Sequence, residues 1–285
     1  MTRYAQRTLI AQPTIANWGQ AAAGGIGVVE GYGVATGGTT LGSPPAGYTV
    51  LEFTASGTLT VTSAGLFDCL AAAGGAGGSN YSPGGGGGGG SGSIVQSTIY
   101  LDATTYTVTI GGGGAQAGYT VPRFSNTTLL GNTQPIYFAA PATTNSNNVS
   151  SGASDANNVG GGGGAIGGAA SAGVNNIYGF EGGNSSTAGG GGGGATAVGA
   201  NAVTTTGGAG GAGYDVGAFI SGSTFKCGGG GGAGTVGGAG GSSVGGAGGG
   251  ATGTAAAVNT GSGGGGGVTT GGAGGSGILY VRFKV

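Results

Sequence analysis

Side chains able to do chemistry are few in this 285-residue sequence, and their spacing assembles no reactive group. There is no histidine, so a Ser-His-Asp triad and any imidazole-ligated metal are ruled out. Two cysteines, Cys69 and Cys227, fall short of a four-thiolate zinc site. In a reducing compartment they read as buried free thiols rather than a disulfide. The seven acidic residues (Glu30, Glu52, Asp68, Asp102, Asp155, Glu181 and Asp215) are dispersed, which suits turns and solvated faces more than paired acid–base work. Many G-x-G-x-x-G matches arise from glycine abundance alone. None lies in a βαβ unit followed by an acidic residue, so none reads as a dinucleotide site. Lys226 is followed by Cys227, not by Ser or Thr, so there is no phosphate-binding P-loop. No catalytic, metal-ligating or cofactor-binding residue is nominated, and the expected protein is not an enzyme.

Composition then narrows the class. Glycine supplies 83 of the 285 residues, against roughly 7% in ordinary proteins. Charged residues make up 5% of the chain and the net charge is −1. Collagen is excluded because no Gly-X-Y period runs through the sequence and prolines number only 7. Disorder normally brings high charge, which is missing, and strand-like segments interrupt the glycine runs. There is no basic run to make a nucleic-acid footprint and no apolar stretch long enough to insert in a membrane. The N-terminal residues lack the continuous apolar region of a signal peptide, so synthesis in a cytoplasm is expected. Asn-X-Ser/Thr at Asn80, Asn126, Asn148 and Asn184 is incidental in so Asn/Ser/Thr-rich a chain.

The elements that would position any site fall into three kinds. Residues 1–46 form a distinct leader with Arg3, Tyr4, Arg7 and Trp18, closed by Pro44-Pro45, a stiff extended break. Strands are expected at 48–54, 57–62, 93–101, 105–110 and 278–285. Thr58-Leu59-Thr60-Val61-Thr62 and Thr105-Tyr106-Thr107-Val108-Thr109-Ile110 alternate with period two, the mark of half-buried strands. Together these segments are expected to make one small antiparallel sheet, in a chain that is mostly β or irregular with little or no α-helix.

The third kind is the glycine tracts at 84–90, 111–114, 160–164, 189–194, 207–211, 228–232, 237–241, 245–250, 263–267 and 271–275. Ordering glycine sacrifices more backbone freedom than ordering any other residue. An isolated polyproline-II-type helix makes no internal hydrogen bonds to offset that loss. Packed side by side, such helices can satisfy each N–H and C=O on a neighbour, and only glycine permits the close approach. A bundle of polyglycine-II helices is therefore expected over 47–285, with connectors gathered at its two ends. Three excursions interrupt the tracts, the longest at 119–159. They carry Tyr137, Phe138, Tyr178, Phe180, Tyr214 and Phe219, either as exposed contact residues or as apolar cover for the bundle.

The order of these pieces is specific: strands over Tyr48–Thr62, a glycine run, Tyr106-Thr107-Val108-Thr109-Ile110-Gly111-Gly112-Gly113-Gly114, a long glycine array, and Ile278-Leu279-Tyr280-Val281-Arg282-Phe283. It resembles the glycine-rich domain of bacteriophage tail-fibre and other virion proteins, and the array is similar to the polyglycine-II sandwich of phage tail-fibre adhesins. The resemblance covers about residues 47–285 and leaves the leader and the 119–159 excursion unmatched. It implies a virion structural protein, present in several copies on the particle, whose connector loops contact a receptor on the host cell. The leader, with Arg3, Tyr4, Arg7 and Trp18, would join it to other virion proteins. The alternatives are a capsid decoration or fibre subunit that binds only virion proteins, and an ice-binding polyglycine protein. No cofactor is implied.

Overall fold

The structure, a computed structural model, describes residues 31–116, 125–131, 134–139, 180, 183–184 and 187–285. Of 134–138 it describes the backbone only. Arg3, Tyr4, Arg7, Trp18 and Tyr178, the tract at 160–164 and most of the 119–159 excursion lie outside the described residues.

Among the described residues twelve strands form: β1 (Val34–Thr36), β2 (Thr39–Thr40), β3 (Tyr48–Phe53), β4 (Gly57–Ser63), β5 (Gly65–Ala72), β6 (Ile94–Leu101), β7 (Thr105–Thr109), β8 (Thr127–Gly131), β9 (Gln134–Ala139), β10 (Tyr214–Asp215), β11 (Phe225–Lys226) and β12 (Ile278–Lys284). The five strands expected from sequence are all present, and the fold is mostly β. They do not share one sheet, however. One sheet has the order β1-β4-β7-β8-β9, another the order β2-β3-β12-β5-β6, and β10 and β11 pair as a short ribbon. All these strand pairs are antiparallel. The short links at 54–56 and 102–104 are not hairpin turns. Each carries the chain from one five-stranded sheet to the other.

Side-chain alternation explains the two layers. In β3, β5 and β12, one set of alternate residues (Leu51, Phe53, Phe67, Cys69, Ala71, Leu279, Val281, Phe283) meets Leu59, Val61, Tyr106, Val108 and Leu129 of the facing sheet. The other set (Val50, Leu70, Ala72, Ile278, Tyr280) faces away, and Val216, Phe219, Ile220 and Cys227 cover it. The central strands β3, β12 and β5 of this sheet thus bury side chains on both faces, and β12 draws on both cores.

The described part of the expected leader, 31–46, is not separate from the sheets. Residues 34–36 and 39–40 join the sheets as β1 and β2, paired to β4 and β3. Gly33 fits closely here: a Cβ on it would lie 2.5 Å from the Phe67 ring and from the Ser63 carbonyl oxygen.

The described glycine tracts pack as expected, as polyglycine-II helices joined by backbone hydrogen bonds. Gly240, inside one tract, has φ −73° and ψ 147°, the polyproline-II conformation. The threefold period is visible in the tract at 86–93. Gly86, Gly89 and Gly92 donate to the carbonyls of Gly267, Gly264 and Gly261, while Gly88 and Ser91 donate to those of Gly190 and Gly193. The carbonyls of Gly87, Gly90 and Ser93 accept from Ser79, Ala76 and Ala73. Every third residue therefore addresses the same neighbour. The tract at 228–233 is surrounded. It donates to Gly211 and Gly208, to Gly89 and Gly86, and to Gly246. It accepts from Gly192 and Gly189, from Gly241 and Gly238, and from Gly263 and Gly266.

Candidate functional site

The tracts give the bundle two unlike ends. At one end they run into the sheets: Ala73 donates to Ser93, Ala195 to Cys227, Cys227 to Thr260 and Gly277 to Gly111, all through backbone N–H groups. The loop between β10 and β11 closes this end. It contains α1 (Gly217–Ile220), a single turn of helix. Asp215 organises the loop. Its Oδ1 accepts from the Gly217 N–H at 2.8 Å and the Thr224 N–H at 2.9 Å, and its Oδ2 accepts from the Ser223 hydroxyl at 2.8 Å. These donors, the Thr224 N–H foremost, hold its carboxyl below the usual range.

Phe219 is a correction to the set of contact aromatics, because it is buried in the core under this loop. Its ring stacks on the Arg282 guanidinium, 4.3 Å from the centroid, and Tyr48 takes the cation at 4.7 Å. Arg282 Nη2 donates to Asp68 Oδ2 at 2.9 Å and its Nε to the same oxygen at 3.2 Å. Nη1 donates to the Phe219 carbonyl at 3.1 Å. The other Asp68 oxygen takes the Thr98 hydroxyl at 2.6 Å, and Tyr32 donates to Oδ2 at 3.3 Å. Both Asp68 oxygens are thus engaged by side chains of the surrounding strands. The cluster ties β12, β5, β6 and the helical loop together.

Removing Arg282 leaves the mostly buried Asp68 charge without its partner. Arg282→Ala is expected to destabilise by about 3 kcal/mol, with Arg282→Lys recovering only part of that, because lysine lacks the planar fork. A urea titration of the three proteins checks this.

Nearby, Lys226 is buried with its Nζ donating to the Asn259 carbonyl at 3.0 Å and lying 5.7 Å from the Tyr280 ring centroid. Burial pulls its pKa down. Burial, with Glu52 close by, pushes the Tyr280 hydroxyl up. Cys69 and Cys227 are buried thiols, not joined in a disulfide, in line with the sequence. Burial raises both thiols, Cys227 to about 12. Such thiols are poor nucleophiles at neutral pH. They also set an alkaline limit: their protons leave the unfolded chain near the ordinary value but stay on the folded one. Stability is therefore full below about pH 8.5 and falls as pH rises beyond it, by about 1.4 kcal/mol per pH unit for each thiol. Denaturant midpoints measured from pH 7 to 11 should fall over the upper half of that range, and Cys227→Ala should shallow the slope.

The opposite end of the bundle is free of the sheets. Here the connectors meet one another: Asn80 bridges to Gly267, Val203 to Thr206, Thr206 to Val236 and Thr252 to Thr270. Val203 and Val236 stand 69% and 61% exposed. The connectors surround a depression of about 280 Å³ whose lining includes Pro83, Thr187, Thr205, Thr235, Gly250 and Val268. Thr204, a β-branched residue, adopts φ 50° beside it, where such residues are outliers. Its carbonyl accepts the Thr187 hydroxyl, and the Thr205 carbonyl accepts the Thr235 N–H at 2.8 Å.

The remaining sequence candidates among the described residues are not gathered at this free end. Tyr137 and Phe138 belong to strand β9, in register with Leu129 and Thr128, and not to a loop. Phe180 is half-buried and its N–H donates to the Gly194 carbonyl at 3.1 Å. Tyr214 is 37% exposed, on the ribbon at the sheet end, as is Phe225. Sequence reasoning weights aromatic side chains and so passes over the Thr/Val connectors. Their signal is position: short links recurring between tracts at alternate turns of the chain.

No group of three His, Cys, Asp or Glu side chains that could hold a metal ion occurs among the described residues. A family model described as a glycine-rich domain matches residues 53–284. The chain belongs to this glycine-rich domain family. The matched region opens at Phe53, the last residue of β3, and closes at the end of β12, so it takes in the bundle and the strands from β4 to β12. A search of curated proteins finds no match to the chain.

Proposed function

We propose that this chain is a non-enzymatic structural protein of a bacteriophage virion and that it attaches the particle to a host cell through the free end of its polyglycine bundle. The observation carrying this reading is the separation of the two ends. The tracts anchor on the sheets at one end and, about 22 Å away for a seven-residue rise, hold a cluster of short uncharged connectors at the other. A rigid backbone scaffold that presents loops is a common design for recognition. The leader, with Arg3, Tyr4, Arg7 and Trp18, joins other virion proteins in this reading, and several copies sit on each particle. The reading also rests on the resemblance of the strand-bracketed array to tail-fibre proteins.

Monovalent antibody fragments raised against the 203–206 and 234–236 connectors test it. They should label purified particles and block adsorption to the host. Particles that are labelled but adsorb normally would leave the chain a role among virion proteins only.

A further inference from the structure

We propose that the depression at the free end of the bundle is a binding site for one neutral sugar unit of a cell-surface glycan; this deepens, and rests on, the attachment reading. The first argument is charge. Among the described residues, the segments that build this end, 80–84, 187–188, 203–206, 234–236, 250–252 and 268–270, contain no Asp, Glu, Lys or Arg. An anionic or cationic ligand would lose hydration there without gaining a counter-charge.

The second argument is hydrogen-bond capacity. Thr205 and Thr235 are exposed on the rim, and each hydroxyl can both donate and accept. They are held side by side by the Thr235 N–H bond to the Thr205 carbonyl. A ligand dense in hydroxyls matches such a rim. Pro83 and Val268 add apolar walls. Size is the third argument. At about 280 Å³, the depression is just below the range of pockets that enclose drug-sized ligands, and one sugar ring is of that scale.

Gly250 adds an independent point. Most tract glycines would drive a Cβ to about 2 Å from a backbone carbonyl of a neighbouring tract, as Gly248 does at 1.9 Å. At Gly250 a Cβ would meet only the Gly234 carbonyl oxygen at 3.6 Å and that of Thr235 at 3.9 Å. Packing does not demand glycine there, and the missing side chain is what leaves the depression open.

The test is an array of neutral and anionic oligosaccharides probed with the full chain, its Gly250→Leu variant and the double variant Thr205→Val/Thr235→Val. Gly250→Leu places a side chain at the depression with its Cβ no closer to backbone than an ordinary contact of 3.6 Å, and the double variant keeps side-chain shape while removing both hydroxyls. Neutral glycans should bind the unaltered chain, with no change between low and high salt. Each variant should weaken that binding by about tenfold or more while melting at the temperature of the unaltered chain. Should Gly250→Leu fail to fold, the double variant decides. Absence of any glycan bound better by the unaltered chain than by the variants overturns the proposal, as does binding confined to anionic glycans and lost in salt. The antibody experiment separates the two levels. Blocked adsorption without sugar binding removes the sugar site alone; sugar binding with unblocked adsorption removes the attachment reading alone.

Discussion

Replacing Gly230 by valine is expected to abolish the folded bundle. Gly230 lies in the tract at 228–233, which has neighbours on every side. Its N–H donates to the Gly89 carbonyl at 2.9 Å and its own carbonyl accepts the Gly192 N–H at 2.7 Å. A Cβ would stand 2.0 Å from the Gly264 carbonyl oxygen and 2.6 Å from its carbon. Both are backbone atoms fixed by their own hydrogen bonds, so no rotamer change relieves the overlap. Separating the two tracts would strand buried N–H and C=O groups on both, each costing about 1–3 kcal/mol. The total exceeds about 4 kcal/mol, the level at which single substitutions are exceptional. Gly112→Ala is the matched control: nothing lies within 4 Å of a Cβ there. It should be neutral or stabilising by about 0.5 kcal/mol, through the unfolded chain. Hydrogen exchange of the tract amides checks both. Gly230→Val should lose protection throughout the bundle, and a loss confined to residues near 230 would show that the tracts do not fold as one unit.

That contrast also shows what the sequence can disclose. The physics of glycine, a costly backbone whose only return is hydrogen bonding between tracts, leads directly to the bundle. Period-two alternation likewise marks β4 and β7, each of which has one buried face. It cannot mark β5, whose Leu66-Phe67-Asp68-Cys69-Leu70-Ala71-Ala72 run has no polar face because both sides of its sheet are covered. Nor can it say that 54–56 and 102–104 cross between sheets, since a short turn-like link reads the same in either case. Phe219 misleads for a related reason. Sitting in an excursion between tracts, it has the sequence context of a loop aromatic. Only Arg282, far along the chain in β12, fixes it as core. The free-end depression is the least legible feature. Its threonines come from separate connectors, and nothing in any one of them announces the others.

Deleting residues 278–285 is the second change expected to leave no folded protein, and it reaches the bundle through the sheets. β12 lies between β3 and β5, with Leu279–Lys284 in register against Phe53–Tyr48 and Ile278–Arg282 against Ala72–Asp68. Its loss separates these two strands and opens both hydrophobic cores at once, since Leu279, Val281 and Phe283 serve one and Ile278 and Tyr280 the other. Five large buried side chains at about 2 kcal/mol each come to about 10 kcal/mol, comparable with the whole stability of an ordinary domain. Asp68 would lose Arg282 as well. The bundle should go with the sheets: its tracts leave β5 at Ala73 and return to β12 at Gly277, so the two paired strands clamp its ends together. Deleting Val285 alone is the control. That residue is 77% exposed and contributes one backbone bond, to Gly47 at 3.1 Å. Limited proteolysis of the two truncated chains reads the difference. The shorter chain should be cut within its glycine tracts and the chain lacking only Val285 should resist. A protected bundle in the shorter chain would mean that polyglycine helices hold together by their own backbone hydrogen bonds, with the sheets serving only as their mount.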